Sequence, residues 1–373
     1  MAIIGACVSP DAVDNDDART WFNCVEEMVF ADDDFCRDVD PSPTTDMAQP
    51  VSTLATRRKL EALQAAYVVC LYQNWEGTDA SKRRIRRHRF SALVSAARDL
   101  DIGIARHLNY SKLPKHEFDW AEYIIREQLI RVFMWTFLLD TAFVIFNNLP
   151  HRMVIKEMRM HMVSPEACFQ APTADECFEQ IQRWMHPASP FCSLLLREAI
   201  ENLCLDTLSP ESQQQFSQLG PVNLFAMVSA IHYIIFQHQN LFAVEGQIVP
   251  IRNGLRNWIG IWERYAQVPS SCSPHGILQH DQLVPETMWK RVGFVRFSPE
   301  YWLLGSLLTD RISSTTSTSQ DQQASSGSFP GAASQTPPSN KPRSVEPILG
   351  KYDQTSMRQV NDLITDFQKF HVG

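Results

Sequence analysis

The chain has 373 residues, 44% hydrophobic and 20% charged, with 34 Lys and Arg against 42 Asp and Glu for a formal charge of -8. That much apolar material builds a large core, so wholesale disorder is excluded, and the length suits two domains or one large one. A net-acidic chain lacks the basic footprint that free-standing nucleic-acid binding requires.

The acidity is concentrated at the start. Residues 1–40 hold eleven acids against only Arg19 and Arg37, a charge of -9 that leaves the remainder near neutral. The opening MAIIGACV has no basic flank and too short an apolar run for a signal peptide. Ala18, Phe22, Val25 and Val29 fall on one helical face. Trp21, Phe22, Phe30 and Phe35 lie among the acids. That mixture suits either an activation segment or the core side of an amphipathic helix, and the helical spacing favours the core. Asp32-Asp33-Asp34 invites comparison with the D-D-x-x-D/E cluster that binds Mg²⁺ in all-α terpene cyclases, but Cys36 stands at the fifth position. Its partner motif has a near miss at Asn361, Asp362 and Thr365 that ends in Lys369. A solvated acidic loop is the simpler reading.

Leu60, Leu63, Tyr67, Cys70 and Leu71 predict a helix that stops near Gly77. A second helix carries Ile85, Leu93, Ala96, Ala97 and Leu100 and ends near Gly103. It opens on the strongest basic run of the chain, Lys82, Arg83, Arg84, Arg86, Arg87, His88 and Arg89. Such a run serves nuclear import or phosphate binding, or simply forms the solvent face of its helix. Asp119 with Glu122 is a capping box for a long helix that is apolar on nearly every side from Val132 to Leu139, which marks a central packed helix. Its Ile130–Phe146 stretch is too short, and too interrupted by Arg131 and Asp140, to span a membrane. Arg131 and Asp140 face opposite sides, so Glu127 is placed to pair with Arg131, and Asp140 needs another partner.

Further starts are written at Thr173 with Glu176, Ser189-Pro190 and Ser209-Pro210. Helices follow over 224–241, 255–265, 299–308 and, after Ser356 with Gln359, along the stripe Met357, Val360, Leu363, Ile364, Phe367 and Phe370. The only strand-like stretch is Gln247–Ile251, so the class is all-α: one large helical domain of roughly ten or more helices. Residues 313–346 are Ser, Thr, Gln, Pro, Gly and Ala with Phe329 as the only large apolar side chain, so this stretch reads as a disordered insert. The domain then comprises 1–312 and 347–371.

Nine cysteines (7, 24, 36, 70, 168, 177, 192, 204 and 272) stand in apolar contexts with no C-x2-C pair. They read as buried, reduced thiols. No C-x2-C or H-E-x-x-H metal motif, nucleophile elbow, P-loop or dinucleotide fingerprint is present, and no catalytic, cofactor or metal residue is expected.

The central helix carries a resemblance. Arg131-Val-Phe-Met-Trp135-Thr-Phe-Leu-Leu-Asp140, then Asn147-Asn148-Leu149-Pro150, then Val154-Ile155-Lys156-Glu157-Met158, then Ser164-Pro165-Glu166 resembles the fungal-specific transcription factor domain, the "middle homology" region also found in xylanolytic activators. Arg131, Trp135, Asp140, Pro150 and Glu157 match that family's structural motif. Ile4-Gly5-Ala6-Cys7, the Leu60–Tyr72 helix, Ala96-Ala97-Arg98-x-Leu100, Asn257-Trp258 with Trp262, Gly293-Phe294, Tyr301-Trp302-Leu303 and Val360-Asn361-Asp362-Leu363 look like its other pieces, in order. The stretch from Leu149 to Ala171 is most similar to the branch that carries two C2H2 zinc fingers upstream. Thr141 departs from the family, replacing the Arg usual after the aspartate.

The resemblance implies a nuclear regulator of RNA polymerase II genes, often metabolic or secondary-metabolite biosynthetic ones. It implies transcriptional coregulators and a homo- or heterodimer as partners, with no membrane. DNA would be reached only indirectly or through a zinc-finger module, and zinc would belong to that module and not to this chain. Because residue 1 falls inside what the family has as an early core helix, Met1 reads as an internal start or the edge of a shortened product. A ligand pocket near Trp135 and Trp258 elaborates the same reading. The rival from another class is a Mg-dependent, terpene-cyclase-like enzyme.

Overall fold

The computed structural model describes residue 6 and residues 11–37, 53–186, 193–240, 248–267, 295 and 297–324. Among these the architecture is all-α, as the periodicity requires, with one isolated bridge between His161 and Leu195.

The first unit pairs α1 (Ala12–Phe30) and the single turn α2 (Asp33–Cys36) with α3 (Leu54–Trp75). Asp11, Asp32 and Thr53 cap their first turns through side-chain oxygens. α1 and α3 run antiparallel. Phe22 stacks on Tyr72 at 4.4 Å, and Gln73 donates to Asn23 and Glu26. At the opposite end Lys59 donates to the carbonyl of Phe35 at 2.7 Å.

The second predicted helix is a rod of three parts: α4 (Asp79–Arg84), a π turn at Ile85–Arg89, and α5 (Phe90–Asp99). The π turn adds a residue to the winding, so Ile85 and Phe90 both reach zero exposure while Arg86 is carried inside with them.

The axis of the molecule is α6 (Trp120–Asn147), capped by Asp119, which accepts from Glu122 N–H at 3.0 Å. It is long and apolar enough to cross a membrane, but 78% of its most apolar window is buried in the fold. Phe133, Phe137 and Phe143 have no exposure. Each such side chain contributes on the order of 2 kcal/mol through burial. The helix stops at Asn148, which adopts a left-handed conformation (φ 49°), so that Leu149 N–H reaches the Phe143 carbonyl at 3.2 Å. Pro150 then prevents continuation.

Around α6 follow α7 (Glu166–Phe169), α8 (Ala174–Trp184), α9 (Leu196–Leu203), α10 (Pro210–Ser217), α11 (Pro221–Asn240), α12 (Ile248–Gln267) and α13 (Ser298–Ala324). The expected caps at Thr173 and Ser209 are present. α6, α11, α12 and α13 pack together, with α3 on the other side of α6. A smaller cluster of Tyr110, Tyr123, Cys168, Cys177, Ile181 and Met185 closes one end.

Some expectations are corrected. Of the expected strand Gln247–Ile251, residues 248–251 are helical: Ile248 opens α12, and Pro250 sits in its first turn, where a missing N–H costs nothing, while Gln247 lies outside the described residues. Cys24 and Cys36 are exposed, while Cys70, Cys168 and Cys177 are buried and Cys204 is partly so. The last described helix runs to Ala324, into the stretch expected to be unstructured. Residues 325–346, the predicted final helix over 356–370, Ser189-Pro190, Gly293-Phe294 and most of the opening segment lie outside the described residues.

Candidate functional site

Two polar nodes are built on α6. At the first, Arg131 donates through Nε to Glu127 Oε1 at 2.7 Å, through one terminal nitrogen to Glu166 Oε1 at 2.8 Å, and through the other to the Ser164 carbonyl at 3.2 Å. Its guanidinium lies 4.2 Å from the Phe169 ring centre. Glu127 is fully buried and also accepts from Ser164 N–H at 3.1 Å. Burial pushes the Glu127 carboxyl above its ordinary value, and Arg131 opposes that shift. His107 Nε2 lies 3.3 Å from Glu127 Oε2. Burial, then the neighbouring His161, holds His107 down to about 3, so the contact joins a neutral imidazole to the carboxyl. The expected Glu127–Arg131 pair is therefore real, and it locks the 161–166 loop onto the helix.

At the second node Asp140 Oδ2 accepts from the backbone N–H groups of Arg152 (2.7 Å) and Met153 (2.8 Å). Burial pushes Asp140 up to about 6, against the pull of those two amides. Arg98 grips Glu157 with both ends, at 2.9 and 2.8 Å, and donates to the Arg152 carbonyl at 2.6 Å. Burial works against the Glu157 charge, but Arg98 holds its carboxyl below the ordinary value. Glu157 also accepts from Val154 N–H at 2.7 Å. Asp140 and Glu157 thus fasten both ends of the 152–157 loop beyond the exposed Pro150. Neither node has an open coordination position or an activated nucleophile. Both organise loops.

The basic run does not form one solvent face. Lys82 and Arg86 are buried, and Arg86 donates to Asn74 at 2.7 Å. Arg84 (2.6 Å) and Arg89 (3.1 Å) converge on Glu26, a carboxylate with no exposure. Burial works against the Glu26 charge, but the two arginines hold its carboxyl below the ordinary value. Arg83, Arg87 and His88 are exposed. The sequence could not show this, because the carboxylate lies some sixty residues upstream.

Near the start, Phe22, Phe30 and Phe35 are core, whereas Trp21 is 62% exposed. Asp32 caps α2, accepting from Asp34 N–H at 2.9 Å and Phe35 N–H at 3.2 Å. Among the described residues no group of three or more His, Cys, Asp or Glu could hold a metal ion. The Asn361, Asp362 and Thr365 half of the diphosphate motif lies outside them.

A groove of about 480 Å³ opens between α1, α3 and α6. Trp135, Val132 and Val68 form its floor, and Gln64, Gln128 and Arg131 supply polar edges. Of the two tryptophans expected near a pocket, Trp135 lines this groove and Trp258 does not. Trp258 is fully buried, stacks on Trp262 at 5.2 Å, and donates its indole N–H to the Leu224 carbonyl at 2.8 Å.

No protein-family model matches the chain, and no solved structure matches it. Over all 373 residues it is 52% identical to a curated relative, the transcription factor verF of Penicillium polonicum. It spans 48% of that relative, about half its length.

Proposed function

We propose that this chain is the helical regulatory body of a fungal zinc-finger-type transcription factor. It would act in the nucleus on RNA polymerase II transcription of metabolic or secondary-metabolite genes. The observation that carries the reading is the 52% identity to a transcription factor along the entire chain. The geometry is in keeping with it, since the buried charges of α6 are spent on holding loops and not on a reacting group. In this reading DNA contact belongs to a module outside these 373 residues, because the nine cysteines include no C-x2-C or C-x4-C pair to complete a zinc finger. The chain works through coregulators, and zinc is that module's cofactor, not this one's.

The test is to fuse the chain to a heterologous DNA-binding domain and read a reporter in a filamentous fungus. A change in transcription that requires the intact chain supports the proposal. An unchanged reporter, or tight sequence-specific binding of duplex DNA by the isolated chain, overturns it.

A further inference from the structure

The groove between α1, α3 and α6 has the construction of a ligand site. Its volume of about 480 Å³ falls within the roughly 300–1,000 Å³ that holds a small organic molecule. Val25 and Val29 of α1, Val68 of α3 and Val132 of α6 give it apolar walls, with Trp135 on the floor. Covering such a surface is favourable, because it removes apolar area from water.

Four polar side chains also line it: Gln64 and Tyr67 on α3, Gln128 and Trp135 on α6. All four are partly buried, and none makes a hydrogen bond among the described residues. Elsewhere partly buried groups of the same kinds are engaged: Trp302 donates to the Leu255 carbonyl at 2.9 Å, and Gln170 to Glu166 at 2.8 Å. Burial pushes the Tyr67 phenol above its ordinary value, so it remains a neutral hydroxyl that can donate or accept. Charge at the groove, by contrast, is spent. Arg131 is the only cation among the described residues that line it. Glu127, Glu166 and the Ser164 carbonyl engage its Nε and both terminal nitrogens. An anion would find no free cation there, whereas a neutral acceptor meets several uncommitted donors.

We propose that this groove binds an uncharged, ring-bearing organic molecule that carries carbonyl or hydroxyl oxygens. Its ring system lies against Trp135 and the valines, which supply most of the binding. Its oxygens accept from the Trp135 indole N–H and from the Gln64 and Gln128 amides, with Tyr67 as a donor or acceptor. These contacts choose among apolar molecules, since one without such oxygens leaves the desolvated donors unpaired. Because α1 supplies one wall and α3 and α6 the others, a bound molecule ties α1 to the central helix and stabilises that packing by mass action. This inference does not depend on the transcriptional reading.

Titrating the 373-residue chain with the neutral fluorophore 6-propionyl-2-dimethylaminonaphthalene tests it. A blue-shifted emission that saturates in the micromolar range is expected. Two competitors of nearly equal size then separate charge from shape: 2-acetonaphthone, a neutral ketone, and 2-naphthoate, an anion. The ketone displaces the fluorophore about tenfold or more better than the anion, whose charge would be buried without a partner. Val68→Trp fills the groove and abolishes binding. Trp135→Phe with Gln128→Leu keeps the apolar walls but removes donors. It weakens 2-acetonaphthone about tenfold and leaves naphthalene within about twofold, a difference that a merely structural role would not produce. No saturable binding of the fluorophore to the unsubstituted chain overturns the proposal. So does binding indifferent to Val68→Trp, displacement by the anion as good as by the ketone, or an equal loss of 2-acetonaphthone and naphthalene in the double variant.

Discussion

Three buried histidines make the fold sensitive to mild acid. His107, His161 and His232 are almost wholly inaccessible, and burial holds them down to about 3, 4 and 4 against an ordinary 6.5. Below pH 6.5 the unfolded chain takes up protons at these sites and the folded chain does not, so stability is present above that pH and is lost as it falls. From about pH 7.5 to about 5.5 each histidine costs about 1.4 kcal/mol, or about 4 for the three together. Asp140 acts in the opposite sense. Its carboxyl is raised to about 6, so it binds its proton earlier in the folded state and regains stability in acid. That offset is about 0.8 kcal/mol over the same interval, and the raised Glu127 carboxyl acts in the same sense, so the net loss is at most about 3 kcal/mol. Glu26 and Glu157 are held below 4.5 and contribute nothing in this window. Urea unfolding at the two pH values, in about 0.15 M salt to screen surface charge, reads the difference directly. His232→Gln preserves a donor to the Tyr301 carbonyl, 2.7 Å away, and should remove about a third of the pH dependence. Stability at pH 5.5 equal to or above that at pH 7.5 would refute the reasoning.

Glu127→Leu takes one of Arg131's two carboxylate partners and leaves the Ser164 amide without its acceptor, and should destabilise by about 2–4 kcal/mol in urea unfolding. Asp140→Ala leaves the amides of Arg152 and Met153 without an acceptor. It should cost about 2–4 kcal/mol, while Asp140→Asn, which keeps one acceptor, costs less. In the basic run, Arg84→Ala with Arg89→Ala leaves the buried Glu26 carboxylate with the Gln73 amide but no cation, and lowers the melting point. Arg83→Ala with Arg87→Ala leaves the melting point within a degree or so, because surface substitutions change stability by only about 0.5 kcal/mol. Imaging a fluorescent fusion of that second pair in fungal cells separates import from folding: loss of nuclear signal at constant stability assigns import to Arg83 and Arg87.

What the sequence made legible was local. Helix starts at Asp119, Thr173 and Ser209 follow from side-chain caps a few residues from their targets, and α6 betrays its central position by being apolar on all sides. Glu127 and Arg131 are four apart, so their pair could be read as well. The failures have a common cause. Gln247–Ile251 has β-branched residues, but Ile251 belongs to the stripe of Leu255, Trp258 and Ile261, and that burial decides for helix. Glu26 draws in Arg84 and Arg89 from about sixty positions away, and no spacing rule reaches that far. The groove is likewise a product of three helices, and its neighbour Trp21 is distinguished from the buried Phe22 only once α3 is in place.

The placement of charge on α6 has a further consequence. A helix buried on every side has no amphipathic stripe to fix its rotation, and sliding or turning it would cost little hydrophobic energy. Glu127, Arg131 and Asp140 supply that missing information. Each can be satisfied only by a particular loop: Ser164 and Glu166 on one side, Arg152 and Met153 on the other. Any misregistered packing would leave a buried charge without partners, at a cost of several kcal/mol. The motif that runs through Arg131, Trp135 and Asp140 therefore specifies how the α6 scaffold is oriented. Of its three side chains Arg131 and Trp135 line the groove and Asp140 does not, so the motif joins orientation of the central helix to the shape of the surface it offers. Substitution of Asp140, which does not line the groove, should alter binding at that surface only as far as it alters stability, whereas Trp135→Ala should alter binding with the smaller stability loss of a partly exposed side chain.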